Sequence, residues 1–247
     1  MKIINCEQGT DKWLEARRCM ITGTKMDAVN GTDWARLQLA CELIAEEATE
    51  LLKNNNTTSS SIERGTAEEP FARKEFELVC SKKVTELGFC ISDEFPYLGI
   101  SGDGWIENGK IYDEAIEIKS PNSDTSVFYM LSNMFTPEQL KLGTWTKPTK
   151  VNPVPEFKPS AKAPFMGIPA DYKSQIITYF LVNSDLKRLY FVDYDPRFIE
   201  KNNQIFVVKV ERDDPEMLSA LKETKENLIS FREMWMKYRN IIIKDNF

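Results

Sequence analysis

The stretch that most constrains this chain is Gly99 to Pro121, GISGDGWIENGKIYDEAIEIKSP. It places Asp103, then Glu117, then Lys119, with one residue between the last two. Two apolar runs carry these residues and a Glu-Asn-Gly-Lys turn, 107–110, joins them. Asn108-Gly109 is a strong hairpin signal. Alternate residues of a strand point to opposite faces, so Ile116 and Ile118 are expected on a buried face and Glu117 and Lys119 on the other. Across the hairpin, Asp103 comes within reach of both polar residues.

Two carboxylates and one ammonium at this spacing suit metal-dependent phosphodiester cleavage. Hard cations such as Mg²⁺ take oxygen ligands and keep several waters for substrate and nucleophile. Asp103 and Glu117 are the candidate ligands, and the peptide carbonyl of Ile118 between them offers a third oxygen. Lys119 is placed to hold or deprotonate the attacking water, or to neutralise charge on the phosphorane. The competing account is an ordinary polar strand face with a Glu–Lys ion pair.

Composition narrows the chemistry. The chain has no histidine, which removes histidine triads, histidine–zinc sites and histidine general bases. Its net charge of −6 argues mildly against nucleic-acid binding, although a local basic groove is compatible with it. At 247 residues the expectation is one large domain, residues 1–247, with an insertion near 144–170. No run of about 18 apolar residues occurs, so no membrane partner is expected. The N-terminus, MKIINCEQGTDKW, turns polar at once and does not read as a signal peptide. Cys6, Cys19, Cys41, Cys80 and Cys90 are scattered, with no Cys-x-x-Cys pair; they read as reduced thiols of a cytoplasmic protein.

Taken in order, Asp11 to Cys19 reads as a short helix with Arg17 and Arg18 near its end. Thr22 is the expected N-cap of a second short helix, Gly23 to Val29, stopped by Asn30-Gly31. A helix N-terminus rich in Thr and Gly, facing two arginines, is an anion site; otherwise the arginines are solvated and Thr22 merely caps. Residues 33–53 form an amphipathic pattern through Trp34, Leu37, Leu39, Ala40, Leu43, Ile44, Ala48 and Leu51. Asn54–Ser61 is a polar loop. Residues 63–87 predict a helix with Phe71, Phe76, Val79 and Val84 on its buried side. Glu69, on its first turn or two, either reaches the metal site or pairs with Arg73 at i,i+4.

Residues 122–143 carry a weak helical pattern. The segment 144–170 has six prolines and four lysines (Lys147, Lys150, Lys158, Lys162) against one acid, Glu156. Proline at that density excludes a long helix or a central strand, leaving an extended basic loop that flanks a DNA groove or is a surface insertion. Asp171–Leu181 predicts a helix, with Gln175 on its own face, and Leu186–Pro196 and Asn203–Glu211 predict strands. Asp213–Ile242 predicts a long helix with Met217, Leu221, Leu228, Phe231, Trp235 and Tyr238 as its stripe.

The motifs, in this order, resemble those of the lambda exonuclease (YqaJ viral recombinase) family within the PD-(D/E)xK nuclease superfamily. They are Trp13 to Thr24 with Arg17 and Ile21-Thr22, Gly65 to Glu77 with Glu69 and Phe76, Ser101-Gly102-Asp103-Gly104, Glu117-Ile118-Lys119-Ser120-Pro121, Tyr172 to Tyr179 with Gln175, and Tyr194-Asp195-Pro196-Arg197. The resemblance implies an α/β fold with a restriction-endonuclease-like core, a central mixed β-sheet flanked by α-helices. It implies that Asp103, Glu117 and the Ile118 carbonyl hold the metal, that Lys119 is the catalytic lysine, and that Glu69 and Gln175 complete the catalytic set. Arg17 and Thr24 fall where the family binds the 5′-terminal phosphate, with Thr24 in place of a serine; Gly102 stands where proline is frequent.

The implied activity is Mg²⁺-dependent 5′→3′ digestion of one strand of double-stranded DNA, with Mn²⁺ as a substitute metal, leaving 3′ single-stranded tails for phage-type recombination. A homotrimeric ring, a single-strand annealing partner and a cytoplasmic location in an infected or prophage-bearing cell belong to the same pattern. Other readings are a DNA endonuclease of the same superfamily and a catalytically silent DNA-binding module on the same scaffold.

Overall fold

The tight turn forms, shifted by one residue from the Asn-Gly pair. Gly109, at φ +73°, and Lys110 occupy its centre, and Asn108 pairs with Ile111. A left-handed φ at the first central residue is the conformation that glycine adopts without strain. The computed structural model describes residues 1–51, 60–149, 151–160 and 164–243. The polar loop expected at Asn54–Ser61 falls largely outside the described residues, as do Lys150 and Lys162.

The elements run β1 (Lys2–Ile4), α1 (Asp11–Arg17), α2 (Met26–Val29), α3 (Asp33–Thr49), α4 (Ser60–Cys80), β2 (Phe89–Ile91), β3 (Gly99–Ile100), β4 (Gly104–Asn108) and β5 (Ile111–Lys119). They continue with α5 (Ser123–Met134), β6 (Gly143–Trp145), β7 (Phe157–Pro159), a 3₁₀ turn (Ala170–Tyr172), α6 (Lys173–Val182), β8 (Arg188–Tyr194), a second 3₁₀ turn (Lys201–Asn203), β9 (Ile205–Glu211) and α7 (Pro215–Ile242). The central sheet has the order β4-β5-β8-β9, with β5 and β8 parallel and the other pairs antiparallel. A parallel pair requires a crossover, and α5, the proline-rich segment and α6 supply it. This is the expected mixed sheet flanked by helices.

Two details of the hairpin differ from expectation. Gly99 and Ile100 leave it and pair with β2 in a separate three-stranded sheet, β1-β2-β3. Within it, Ile106 pairs with Glu114 and Glu107 with Tyr112, so Asp113 is an extra residue, a β-bulge.

Both faces of the central sheet are covered. Ala72 and Phe76 of α4 pack on Ile106, Ile116, Ile118, Tyr190 and Val192. On the opposite face Trp105, Ala115, Leu189 and Phe191 meet α6, whose residues Ile176–Val182 are all buried. The Glu117 side of β5 therefore faces a helix, not solvent. Helix α7 starts at a capping Asp214, which accepts the Glu216 N–H at 2.8 Å, with Pro215 in the first turn where its missing N–H costs nothing.

The helix stripes needed correction. α4 begins at Ser60 and ends at Cys80, with Ser81 at a left-handed φ of +52°. The i,i+4 pair Ala72 and Phe76 makes the sheet contact, which turns the adjacent Phe71 outward, and Val79 is exposed as well. In α3, Trp34 and Ala48 lie off the buried face made by Leu39, Ala40, Leu43 and Ile44, and Leu51 falls beyond the helix, which stops at Thr49 with Glu50 left-handed. Tyr238 likewise lies outside the buried stripe of α7. The 144–170 segment is not wholly irregular: β6 and β7 form a short antiparallel hairpin, with Pro159 at its terminal pair, where proline is tolerated.

Candidate active site

The sequence Glu-Ile-Lys at the end of β5 sends Glu117 and Lys119 toward α6. Glu117 is 0% exposed, yet its carboxylate is fully partnered. Its Oε1 accepts from Gln175 Nε2 at 2.5 Å and from the Lys119 ammonium; its Oε2 accepts from the Tyr179 hydroxyl at 2.6 Å. A buried carboxylate persists as an ion only with such donors.

Asp103 lies just before β4, where the ladder to β5 runs out. Its Oδ2 accepts the Ile118 N–H at 2.7 Å, so the side chain replaces a missing backbone partner. Its own N–H donates to the Tyr179 hydroxyl at 3.1 Å, and its carbonyl accepts from Arg73 Nε at 3.0 Å. Burial, and then the nearby charge of Glu117, push the Asp103 carboxyl well above the ordinary aspartate range, against the pull of Lys119. For Lys119, burial favours the neutral amine, but the charges of Glu117 and Asp103 outweigh it and raise its pKa. The ammonium also faces the Tyr172 ring, 5.0 Å from its centroid.

Asp103, Glu117, Lys119 and Gln175 are thus brought together, and Ile118 joins them through its N–H. Glu69 stands farther out. It lies on the third turn of α4, not the first, and bonds Arg73 Nη2 at 2.6 Å. Burial raises its pKa, Arg73 opposes this, and Glu86 and Glu117 add to it, so Glu69 feels the charge of the site without a bond to it. The i,i+4 pair with Arg73 that the sequence offered is formed; Arg73 also bonds Glu86 and the Asp103 carbonyl, contacts the sequence did not show, and so fixes α4 to the aspartate loop.

The phosphate-binding candidates occupy the adjoining loop. Arg17 Nη1 donates to Ser101 Oγ at 3.1 Å, and Trp13 Nε1 donates to the same oxygen at 2.7 Å. The guanidinium stacks 4.2 Å from the Trp13 ring centroid. Burial lowers its pKa and Glu46 opposes this, but among the described residues no carboxylate forms an ion pair with Arg17. Arg18, by contrast, pairs with Glu15 at 2.7 Å.

Thr22 does not cap a helix. Residues 22–25 form a turn, α2 starts only at Met26, and the Thr22 hydroxyl lies 3.3 Å from that of Thr24. A four-residue helix offers no N-terminal anion site of its own. Thr24 is exposed beside this turn and makes no hydrogen bond to Arg17. The turn nevertheless abuts the carboxylate centre, because a Cβ on Gly23 would meet Gln175 Cγ at 3.0 Å. Glu46 braces the loop, accepting from the Cys19 N–H at 2.9 Å and from Lys25 at 3.1 Å. Ser101 and Glu46 gave no sequence signal of their own; Ser101 had only its place two residues before Asp103.

The donor set fits a hard divalent cation. The Asp103 carboxyl feels the charge of Glu117, and the Tyr179 hydroxyl bonds both the Asp103 N–H and the Glu117 carboxylate; among the described residues no group of three or more His, Cys, Asp or Glu side chains stands at metal-binding spacing. A cation held here would need its remaining ligands from the peptide carbonyl, water and substrate, as Mg²⁺ commonly does.

The profile of the YqaJ-like viral recombinase domain matches residues 12–142, which span every site residue above except Tyr172 and those of α6, and the chain belongs to that family. Among solved structures, the fold is similar to an alkaline exonuclease from Laribacter hongkongensis, known alone and in complex with dAMP. Each superposes with a TM-score of 0.66 at 22% identity, covering 94% of this chain and 98% of that one. A phage-related exonuclease from Haemophilus somnus 129PT superposes with a TM-score of 0.54 at 14% identity, covering 89% of this chain and 96% of that one. No curated protein matches the chain by sequence. Among the described residues no helix is long and apolar enough to cross a membrane.

Proposed function

We propose that the protein is a Mg²⁺-dependent exonuclease that degrades one strand of linear double-stranded DNA in the 5′→3′ direction, leaving 3′ single-stranded tails. One observation carries the reading: Ser101 and Asp103, two residues apart, link a guanidinium that has no ion-pair partner among the described residues to a carboxylate–lysine centre. Two residues of extended chain span roughly 7 Å, close enough for one strand to present its terminal phosphate to Arg17 and the next phosphodiester to Glu117 and Lys119. The membership in a viral recombinase family and the exonuclease fold support the same reading.

Asp103, Glu117 and the Ile118 carbonyl would hold the Mg²⁺, with Mn²⁺ as a substitute. The bound metal supplies Lewis-acid stabilisation of the phosphorane and an acidified water. The chain's own groups do the rest. Gln175 and Tyr179 orient the Glu117 carboxylate. Lys119, a charged donor beside it, holds the attacking water and offsets charge on the phosphorane. Arg17 offers its planar fork to the terminal phosphate, Ser101 fixes the guanidinium, and Thr24 supplies a hydroxyl at the rim. A homotrimeric ring, an annealing partner and action in the cytoplasm of an infected cell belong to the same proposal.

The test is digestion of linear duplex DNA bearing a 5′-phosphate or a 5′-hydroxyl, with and without Mg²⁺, beside a closed circular duplex. The expected outcome is Mg²⁺-dependent loss of the 5′-phosphorylated strand, slower loss from 5′-hydroxyl ends, and intact circles. Cleavage of the circles would identify an endonuclease, and binding without cleavage a silent DNA-binding module.

A further inference from the structure

The Tyr179 hydroxyl makes more polar contacts than a space-filling ring requires. Tyr172, Gln175 and Tyr179 stand at i, i+3 and i+7 and form one face along the start of α6. Tyr172 faces Lys119 and Gln175 bonds Glu117. Tyr179 is buried at 0% exposure with its ring 5.6 Å from that of Trp105, a volume that phenylalanine would fill equally well. Its hydroxyl is what differs. It accepts the Asp103 N–H at 3.1 Å, donates to Glu117 Oε2 at 2.6 Å, and lies 3.2 Å from the Ile116 carbonyl. With one hydrogen to give, it favours the ionised acceptor at shorter range. One atom thus joins the residues on the two strands of the hairpin that are expected to hold the metal.

The ring reaches that point only because position 102 lacks a side chain. A Cβ there would stand 2.8 Å from Tyr179 Cε1 and 2.9 Å from Trp105 Nε1, closer than a Cβ approaches a non-bonded heavy atom in folded proteins. Gly102 is not left-handed, so its lack of a side chain, not backbone freedom, is what the site uses.

We infer that Tyr179 is a positioning residue, admitted by Gly102, that locks Glu117 and the Asp103 peptide into one metal-binding geometry. The inference rests on the nuclease reading above. Groups that orient metal ligands typically change affinity or activity by about 10–100-fold when removed.

The experiment is calorimetric titration of Mn²⁺ into the full chain without DNA, for wild type, Tyr179→Phe, Gly102→Ala and the double variant, each checked for folding by circular dichroism. Wild type should bind Mn²⁺. Tyr179→Phe should bind about tenfold more weakly, and the Mg²⁺ concentration giving half-maximal digestion should rise in parallel while KM for DNA ends stays unchanged. Gly102→Ala should reproduce the loss by displacing the ring, and the double variant should lose less than the sum of the two, as residues sharing one contact do. Wild-type Mn²⁺ affinity in folded Tyr179→Phe overturns the inference alone. If Tyr179→Phe does not fold, folded Gly102→Ala decides: weakened binding supports the inference, and wild-type affinity overturns it. A wild-type protein that neither binds Mn²⁺ nor digests DNA overturns the nuclease reading together with it.

Discussion

The two ends of the site are built on opposite electrostatic plans. At the carboxylate end the buried charge is already answered from within: Glu117 takes three donors, one of them the Lys119 ammonium, and Asp103 takes the Ile118 N–H. At the cationic end Arg17 has a serine hydroxyl, an aromatic face and the distant charge of Glu46, but among the described residues no ion-pair partner. Under the proposed function the first end takes on a further cation. The second gains from an anion that arrives. A terminal phosphate and a divalent metal are the two ligands that this polarity suits, and under the proposed function it would let a chain of net charge −6 meet DNA locally.

The comparison breaks most visibly at the carboxylates. Asp103→Asn or Glu117→Gln should lower digestion by about 10³-fold or more, the counterpart of several kcal/mol of metal-supplied stabilisation, while Arg17 still binds 5′-phosphorylated ends. A gel-based rate assay beside an end-binding titration checks both, and near-normal digestion by either variant would remove the metal assignment. Next in size is Lys119→Ala, expected to slow single turnover by roughly 10²-fold with little change in DNA affinity. If affinity collapsed while the bound complex reacted normally, Lys119 would belong functionally with the cationic end.

Arg17→Ala should erase most of the preference for 5′-phosphate over 5′-hydroxyl ends, an effect of about tenfold for one charge-assisted hydrogen bond. Arg18→Ala should leave it intact, since Arg18 is already paired with Glu15. The measurement is the rate on both ends for each variant; a preference that survives in Arg17→Ala moves the pocket elsewhere.

The smallest effect concerns a buried acid outside both ends. Asp193, on β8 beside Lys119, bonds Ser126 at 2.9 Å. Burial raises its pKa from the ordinary 3.8 to about 7, with the Ser126 bond lowering it and Asp195 adding to the rise. The folded protein therefore holds this proton more tightly than the unfolded chain. The stabilisation is complete below the ordinary value and is lost as pH climbs through the folded one. Asp193→Asn should flatten the stability profile between pH 4 and 8 and stabilise the protein by ~2 kcal/mol at pH 8, read from denaturant midpoints. An unchanged profile would show that Asp193 does not titrate in this range.

What the sequence disclosed follows from short-range geometry. Asp103, Glu117 and Lys119 were legible because strand alternation and one turn suffice to bring them together. Tyr179, Ser101 and Arg73 stood in the motifs or beside Glu69, but their contacts at the site were not legible, since each arrives from a distant element: Tyr179 from α6, Arg73 from α4, Ser101 from the loop after β3. Helix faces failed where hydrophobicity outweighed shape. Ala72, a small residue, is what lets α4 approach the sheet, and no apolar count would choose it over Phe71. Thr22 looked like a cap, but the Gly23 turn that packs on Gln175 occupies the place of the helix start.

The bulge at Asp113 has a consequence for how the hairpin tolerates change. Strict alternation counted back from the Gly109 turn would aim Glu117 at α4; the extra residue reverses the phase. The reactive half of β5 is therefore indexed by its neighbours β4 and β8, which pair with it on either side, and not by its tip. The tip behaves as a slack joint. A residue gained or lost there is absorbed at the bulge, and the orientation of Glu117 and Lys119 is inherited from the sheet.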